Sequence, residues 1–198
     1  LIRGSNGSRK VTLTEEGMIL RKRAEEILEL VKKTENEIVL SDKILVGDIY
    51  IGAGETDGMR LLARATGKLR NEHPGIHYHI CSGNSKYVTE NLDKGLLDFG
   101  LIFGNPDLKK YDSLPLPFKD VWGVLMPADD FLAEKESISP EDLWDKPLLI
   151  SQEETDGGTL LQWMKKKRDS LNITVAYNLL FNASLFVEEG LGYAICFD

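Results

Sequence analysis

The chain has 198 residues, 42% of them hydrophobic and 28% charged, and a net charge of −8. That length and composition suit a globular α/β protein of one large or two modest lobes. They argue against two classes. No apolar run approaches the ~20 residues of a membrane-spanning helix, and an acidic surface repels phosphate over most of its area.

The first segment, Leu1 to Leu13, carries Arg3, Arg9 and Lys10 around a Gly-Ser-Asn-Gly turn. Val11 and Leu13 alternate with polar residues as in a short strand, so the segment reads as the end of a hairpin. No apolar run follows these basic residues, so no secretion signal is read. Thr14 can cap a helix whose first turn holds Glu15 and Glu16, where the helix dipole favours negative charge. Leu20, Ala24, Ile27, Leu28, Val31 and Ile38 then fall at helical spacing and draw one stripe. The helix is expected to run to about Leu40, roughly 27 residues or about 40 Å. Such a stripe needs a cover, either a second copy in a coiled coil or the chain's own lobe.

Beyond Ile44 strands and helices alternate. Gly47 to Gly52 is expected as a strand, Met59 to Arg64 as helix, Ile76 to Cys81 as strand, and Val88 to Leu96 as helix. Leu97 to Phe103 is so continuously apolar that a buried strand is expected. The apolar run stops at Gly104-Asn105-Pro106, where a lobe boundary is expected. Val121 to Met126, Pro147 to Ile150, Ile173 to Leu180 and Tyr193 to Phe197 read as strands, and Thr159 to Ser170 and Ala183 to Gly190 as helices. This alternation predicts parallel sheets.

Catalytic and cofactor signals are thin. Gly52, Gly54 and Gly58 follow a strand, but the last stands one position too late for a dinucleotide fingerprint. No nucleophile elbow and no spaced acid–base pair is found, so neither an enzyme nor a cofactor is expected. His77 and His79 share one strand face, read as exposed rather than metal-binding, and Lys165 to Arg168 reads as a solvated helix end. Cys81 and Cys196 sit in apolar runs and read as buried thiols of a reducing compartment. Three strand–loop–helix junctions offer free backbone N–H groups for a ligand: Gly54-Glu55-Thr56-Asp57, Ser82-Gly83-Asn84-Ser85 and Ser151-Gln152-Glu153.

Arg9-Lys10-Val11-Thr12-Leu13-Thr14-Glu15-Glu16-Gly17, followed by Ala24-Glu25-Glu26-Ile27-Leu28, resembles the wing end and linker helix of LysR-type transcriptional regulators. The resemblance continues through His73-Pro74-Gly75-Ile76, Leu92 to Leu101, Trp122 to Pro127 and Val187 to Tyr193. It implies two Rossmann-like lobes of the type II periplasmic-binding-protein kind, preceded by a long linker helix. The expected partition is a wing remnant at 1–13, a linker and dimerisation helix at 14–42, lobe I at 44–104 and lobe II at 105–198. In the family the second lobe crosses back into lobe I after the position of Asp198, and that return is read as absent from this chain.

The resemblance also implies a cytoplasmic dimer or tetramer that senses a small-molecule effector of unknown identity between the lobes. DNA would be bound through a winged helix-turn-helix mostly outside this chain, with Arg3, Arg9 and Lys10 on the DNA backbone, and no membrane is involved. By position the effector contacts would be Glu55, Thr56, Asn84, Phe103, Ser151, Gln152 and Asn182. Glu55 and Asp57 place negative charge at a helix start, which can cancel the ~0.3–1 kcal/mol a helix dipole offers an anion. That argues against an anionic effector. A transporter's solute-binding protein and an enzyme on the same two lobes are the alternatives. The former lacks a read signal peptide here and the latter lacks a catalytic set.

Overall fold

A computed structural model describes residues 2–3, 11–39, 45–103, 109–155 and 158–197. Arg9, Lys10, Leu40 and the expected boundary at Gly104-Asn105-Pro106 lie outside these residues, and the side chains of Arg3 and Ile38 are likewise outside the description. The chain opens with β1 (Ile2–Arg3) paired antiparallel to β2 (Val11–Thr12), the hairpin expected from the sequence. Helix α1 (Glu15–Val39) starts where the Thr14 hydroxyl accepts from the Gly17 N–H at 3.1 Å. Along the helix lie the ion pairs Arg21–Glu25, which is exposed, and Arg23–Glu26.

α1 touches the first lobe by its polar edge and not by the exposed apolar residues of its stripe. Glu26 meets Lys94 at 2.9 Å, and Lys33 meets Asp98 at 2.7 Å and the Gly95 carbonyl at 3.2 Å. Leu20, Ile27, Leu28 and Val31 remain exposed.

The first lobe contains β3 (Val46–Ala53), α2 (Met59–Glu72), β4 (Gly75–Ser82), α3 (Ser85–Asp93) and β5 (Phe99–Leu101). Its sheet runs β4-β3-β5, all parallel. Val88 of α3 is fully buried against the sheet, and this close approach requires glycine below it. A Cβ on Gly52 would stand 2.5 Å from Leu97, and one on Gly100 2.6 Å from Val88. β5 is shorter than the expected buried strand and is not buried, with Phe99 61% exposed. Among the described residues β5 pairs only with β3, so it is an edge, and a continuous apolar run there does not imply burial on both faces.

The second lobe contains β6 (Trp122–Leu125), a 3-10 turn at Phe131–Glu134, α4 (Pro140–Leu143) and β7 (Leu148–Ser151). α5 (Thr159–Met164), β8 (Ile173–Tyr177), α6 (Leu180–Glu188) and β9 (Tyr193–Phe197) follow. The strand order is β6-β9-β7-β8. Leu148 and Ile150 point into one core with Leu132, Leu143, Leu160, Met164, Leu171 and Ile195, while Leu149 points into a second with Ala183, Val187 and Ala194. Successive strand residues face opposite ways, so both faces of this sheet are covered. Each fully buried leucine contributes about 1.5–3 kcal/mol.

Two expectations are corrected here. β6 runs antiparallel to β9, because a strand that is not joined to its neighbour by a helical crossover is free of the parallel rule. The helix expected over Thr159 to Ser170 ends at Met164, and Lys165 turns left-handed at φ +53°. The Trp144 indole N–H donates to the Met164 carbonyl at 3.0 Å, so that carbonyl is engaged before another helical turn can use it. Lys165 is therefore the C-cap, and Arg168 opens a short 3-10 turn, Arg168–Ser170.

Candidate functional site

Parallel strands place their carboxyl ends, and the helix starts that follow, on one side of each sheet. In the first lobe these are the loop after β3, Gly54 to Gly58, and the tight step Gly83-Asn84 between β4 and α3. In the second they are the turn Gln152–Thr155 after β7 and the step Asn178-Leu179 between β8 and α6. Bonds between the two sets bring the lobes face to face.

Glu55 reaches out of the first lobe and accepts from the Phe181 N–H, in the first turn of α6, at 3.1 Å. Glu153 reaches the other way. Its carboxylate accepts from the Lys86 N–H and the Ser85 hydroxyl, both at the start of α3 and both at 3.3 Å. The Thr56 hydroxyl donates to Asp120, which precedes β6, at 2.5 Å and accepts from the Gly58 N–H at 3.0 Å. Phe103, two residues beyond β5, stacks obliquely on Phe197 of β9 at 5.5 Å, and Phe197 in turn meets Trp122 of β6 at 4.3 Å. Phe103 also lies where a Cβ on Gly54 would be, 2.8 Å away, so Gly54 lets the loop close down on that ring.

The structure thus places Glu55, Thr56 and Phe103 together at the junction between lobes. Asn84 is at the same rim but spends its side-chain oxygen on the Tyr87 N–H, as the N-cap of α3. Ser151 ends β7, and its hydroxyl accepts from the Glu153 N–H at 3.3 Å, which shapes the turn that aims Glu153. Gln152 is exposed in that turn. Asn182 is exposed and, as the third residue of α6, lies in its first turn.

Asp120, Tyr177 and Phe181 at this junction escape the sequence reading, and Glu153 is named there only as part of its loop. Glu153 stands in a junction already singled out, and a carboxylate two residues beyond a strand end was its only signal. Tyr177 ends β8 and donates its hydroxyl to the Ile195 carbonyl at 2.6 Å. Burial pushes its phenol far above the usual range, with Cys196 and Glu55 adding in the same direction. Nothing in sequence spacing relates Tyr177 to Glu55.

The remaining motifs lie elsewhere. His77 and His79 are exposed on β4; the His79 ring bonds Asp48 at 2.7 Å and stacks on Tyr50 at 4.4 Å. The His79 bond holds the Asp48 carboxyl below its usual range. Among the described residues no three His, Cys, Asp or Glu side chains gather as a metal site, and no helix is long and apolar enough to cross a membrane. Cys81 and Cys196 are half-buried thiols outside any disulfide rather than fully buried ones, because each lies near a strand end or edge. Burial raises the Cys81 thiol.

Comparison with known proteins gives this geometry a family. A probable RuBisCO transcriptional regulator of Synechocystis sp. is 29% identical over 140 residues, covering 70% of this chain and 41% of that protein. One of Emiliania huxleyi is 30% identical over 138 residues, covering 69% and 44%. The chain thus spans less than half the length of these relatives, which are named as transcriptional regulators rather than enzymes. Among solved structures, HinK, a LysR family transcriptional regulator from Pseudomonas aeruginosa, superposes with TM-score 0.59 at 20% identity, over 94% of this chain and 63% of that one. The effector-binding domain of QuiR in complex with shikimate gives 0.60 at 18% identity, over 78% and 75%. Both share the fold of two α/β lobes expected from the sequence. The LysR substrate binding domain model matches residues 45–197, and the chain belongs to that family.

Proposed function

We propose that this chain is the effector-sensing part of a LysR-type transcriptional regulator, which binds a small molecule between lobe I (44–104) and lobe II (105–198). The observation that carries the reading is the facing pair of strand ends and helix starts, bridged by Glu55, Thr56 and Glu153. Such junctions present backbone N–H groups to a ligand. Glu55, Thr56, Asn84, Phe103, Ser151, Gln152 and Asn182 are proposed as the effector contacts, from either side of the gap.

The effector acts by unequal affinity for two arrangements of the lobes. The lobe I ion pairs Glu26–Lys94 and Lys33–Asp98 give α1 a mechanical link to that change. α1, within the linker segment 14–42, pairs with a second copy through Leu20, Ile27, Leu28 and Val31, which are exposed in one chain. DNA is reached through a winged helix-turn-helix, of which 1–13 is the end of the wing; Arg3, Arg9 and Lys10 touch the DNA backbone. The protein works in the cytoplasm as a dimer or tetramer.

The test is a thermal-shift screen against amino acids, sugar phosphates, dicarboxylates, aromatic acids including shikimate, and nucleotides. A ligand at 100 times its dissociation constant adds about 2.7 kcal/mol. A hit that Ser151→Ala weakens supports the inter-lobe site. A hit that Ser151→Ala and Phe103→Ala leave unchanged overturns it.

A further inference from the structure

Helix α6 begins without a cap of its own. Its N-cap position is Leu179, which has no side-chain acceptor, so the N–H groups of the first turn need another partner. Glu55 supplies one for Phe181, and it comes from the other lobe. Helix α3 is capped locally at one N–H only, that of Tyr87 by Asn84. The neighbouring Lys86 N–H and Ser85 hydroxyl are taken by Glu153, again from the other lobe. Each lobe therefore completes a helix start in its partner with a carboxylate, and a helix start is where a carboxylate binds well.

We propose that Glu55 and Glu153 form a reciprocal latch that holds the two lobes together without ligand. Both side chains belong to exposed residues, so water competes for each bond and the latch is releasable. Either bond alone is a local cap. Together they act at two separate points of the junction and oppose rotation of one lobe on the other. On the effector reading above, a ligand that seats at these helix starts does so by displacing the protein's own carboxylates. The sensor then switches by exchanging an internal acceptor for an external one.

The latch is tested on this chain with no ligand present, so its outcome is independent of whether an effector is ever found. The readout is amide hydrogen exchange at Lys86 and Phe181 in the unaltered protein, Glu55→Ala, Glu153→Ala and Glu55→Gln. A latch predicts cross-talk: Glu55→Ala accelerates exchange at Phe181 and also at Lys86, where Glu153 is intact, by about tenfold or more. Glu153→Ala does the converse. Glu55→Gln, which keeps an acceptor, restores most of the protection. The Leu149 amide in the central strand β7 reports that the fold is intact and stays unchanged. If each variant releases only the amide it capped, or neither, the two carboxylates are independent caps and the latch is refuted.

Discussion

Thr56 joins two structural tasks in one hydroxyl, and its removal is expected to be costly for that reason. It accepts from the Gly58 N–H and donates to Asp120 across the junction, at 3.0 and 2.5 Å. Thr56→Ala deletes both bonds and leaves the N–H of Gly58, a buried residue, without this acceptor. A neutral hydrogen bond contributes about 0.5–1.5 kcal/mol and one to a charged group about 1.5–3. Thr56 and Asp120 are only half-buried, so water recovers part of the loss. The lower ends of the two ranges sum to about 2 kcal/mol. At this chain length that corresponds to a melting temperature lower by roughly 4–8 °C. The assay is urea unfolding followed by circular dichroism, with thermal melts beside it. Thr56→Ser, which keeps the hydroxyl, stays within about 0.5 kcal/mol of the parent, as a substitution that keeps these bonds should. Equal midpoints for parent, Ala and Ser would refute the reasoning, because the hydroxyl would then be replaced by water at no cost.

Leu148 is fully buried in the larger core of the second lobe, so Leu148→Ala should cost about 2–5 kcal/mol by urea titration. Gly192 has φ +146°, and a Cβ there would stand 2.2 Å from the Pro147 carbonyl oxygen, so Gly192→Ala should disrupt the bond from the Tyr193 N–H to that same oxygen. Exchange of the Tyr193 amide reads this directly, and protection equal to the parent's would count against it. Lys135, with the Ser139 backbone and hydroxyl, holds the Asp142 carboxyl down to about 2. A depressed folded pKa stabilises above the ordinary value and is lost as pH falls, so Asp142→Asn should flatten the loss of stability between pH 3.8 and about 2. The hydrogen bond to Asp130 pushes the Tyr193 phenol up to about 12. A raised folded pKa stabilises below the ordinary value of 10.0 and is lost as pH rises through about 12; Asp130→Asn should lower the pH of tyrosinate formation seen by ultraviolet absorbance.

Much of this molecule follows from local chemistry. Thr14 with Glu15 and Glu16 announces α1, and the alternation of strand and helix beyond Ile44 announces an α/β fold, because periodicity of side-chain burial is written one element at a time. The three strand–loop–helix junctions were legible for the same reason, since a strand end followed by a helix start is a local event. Tertiary structure decided how the junctions face one another. Glu55 and Phe181 are 126 positions apart, and Ser85 and Glu153 are 68 apart, so no window of sequence relates them. The direction of β6, the exposure of Phe99 and the early end of α5 at the Trp144 indole were settled likewise by neighbours distant in the chain. Local sequence determines which backbone groups each element leaves unpaired. Only the packed lobes determine which side chains come to meet them.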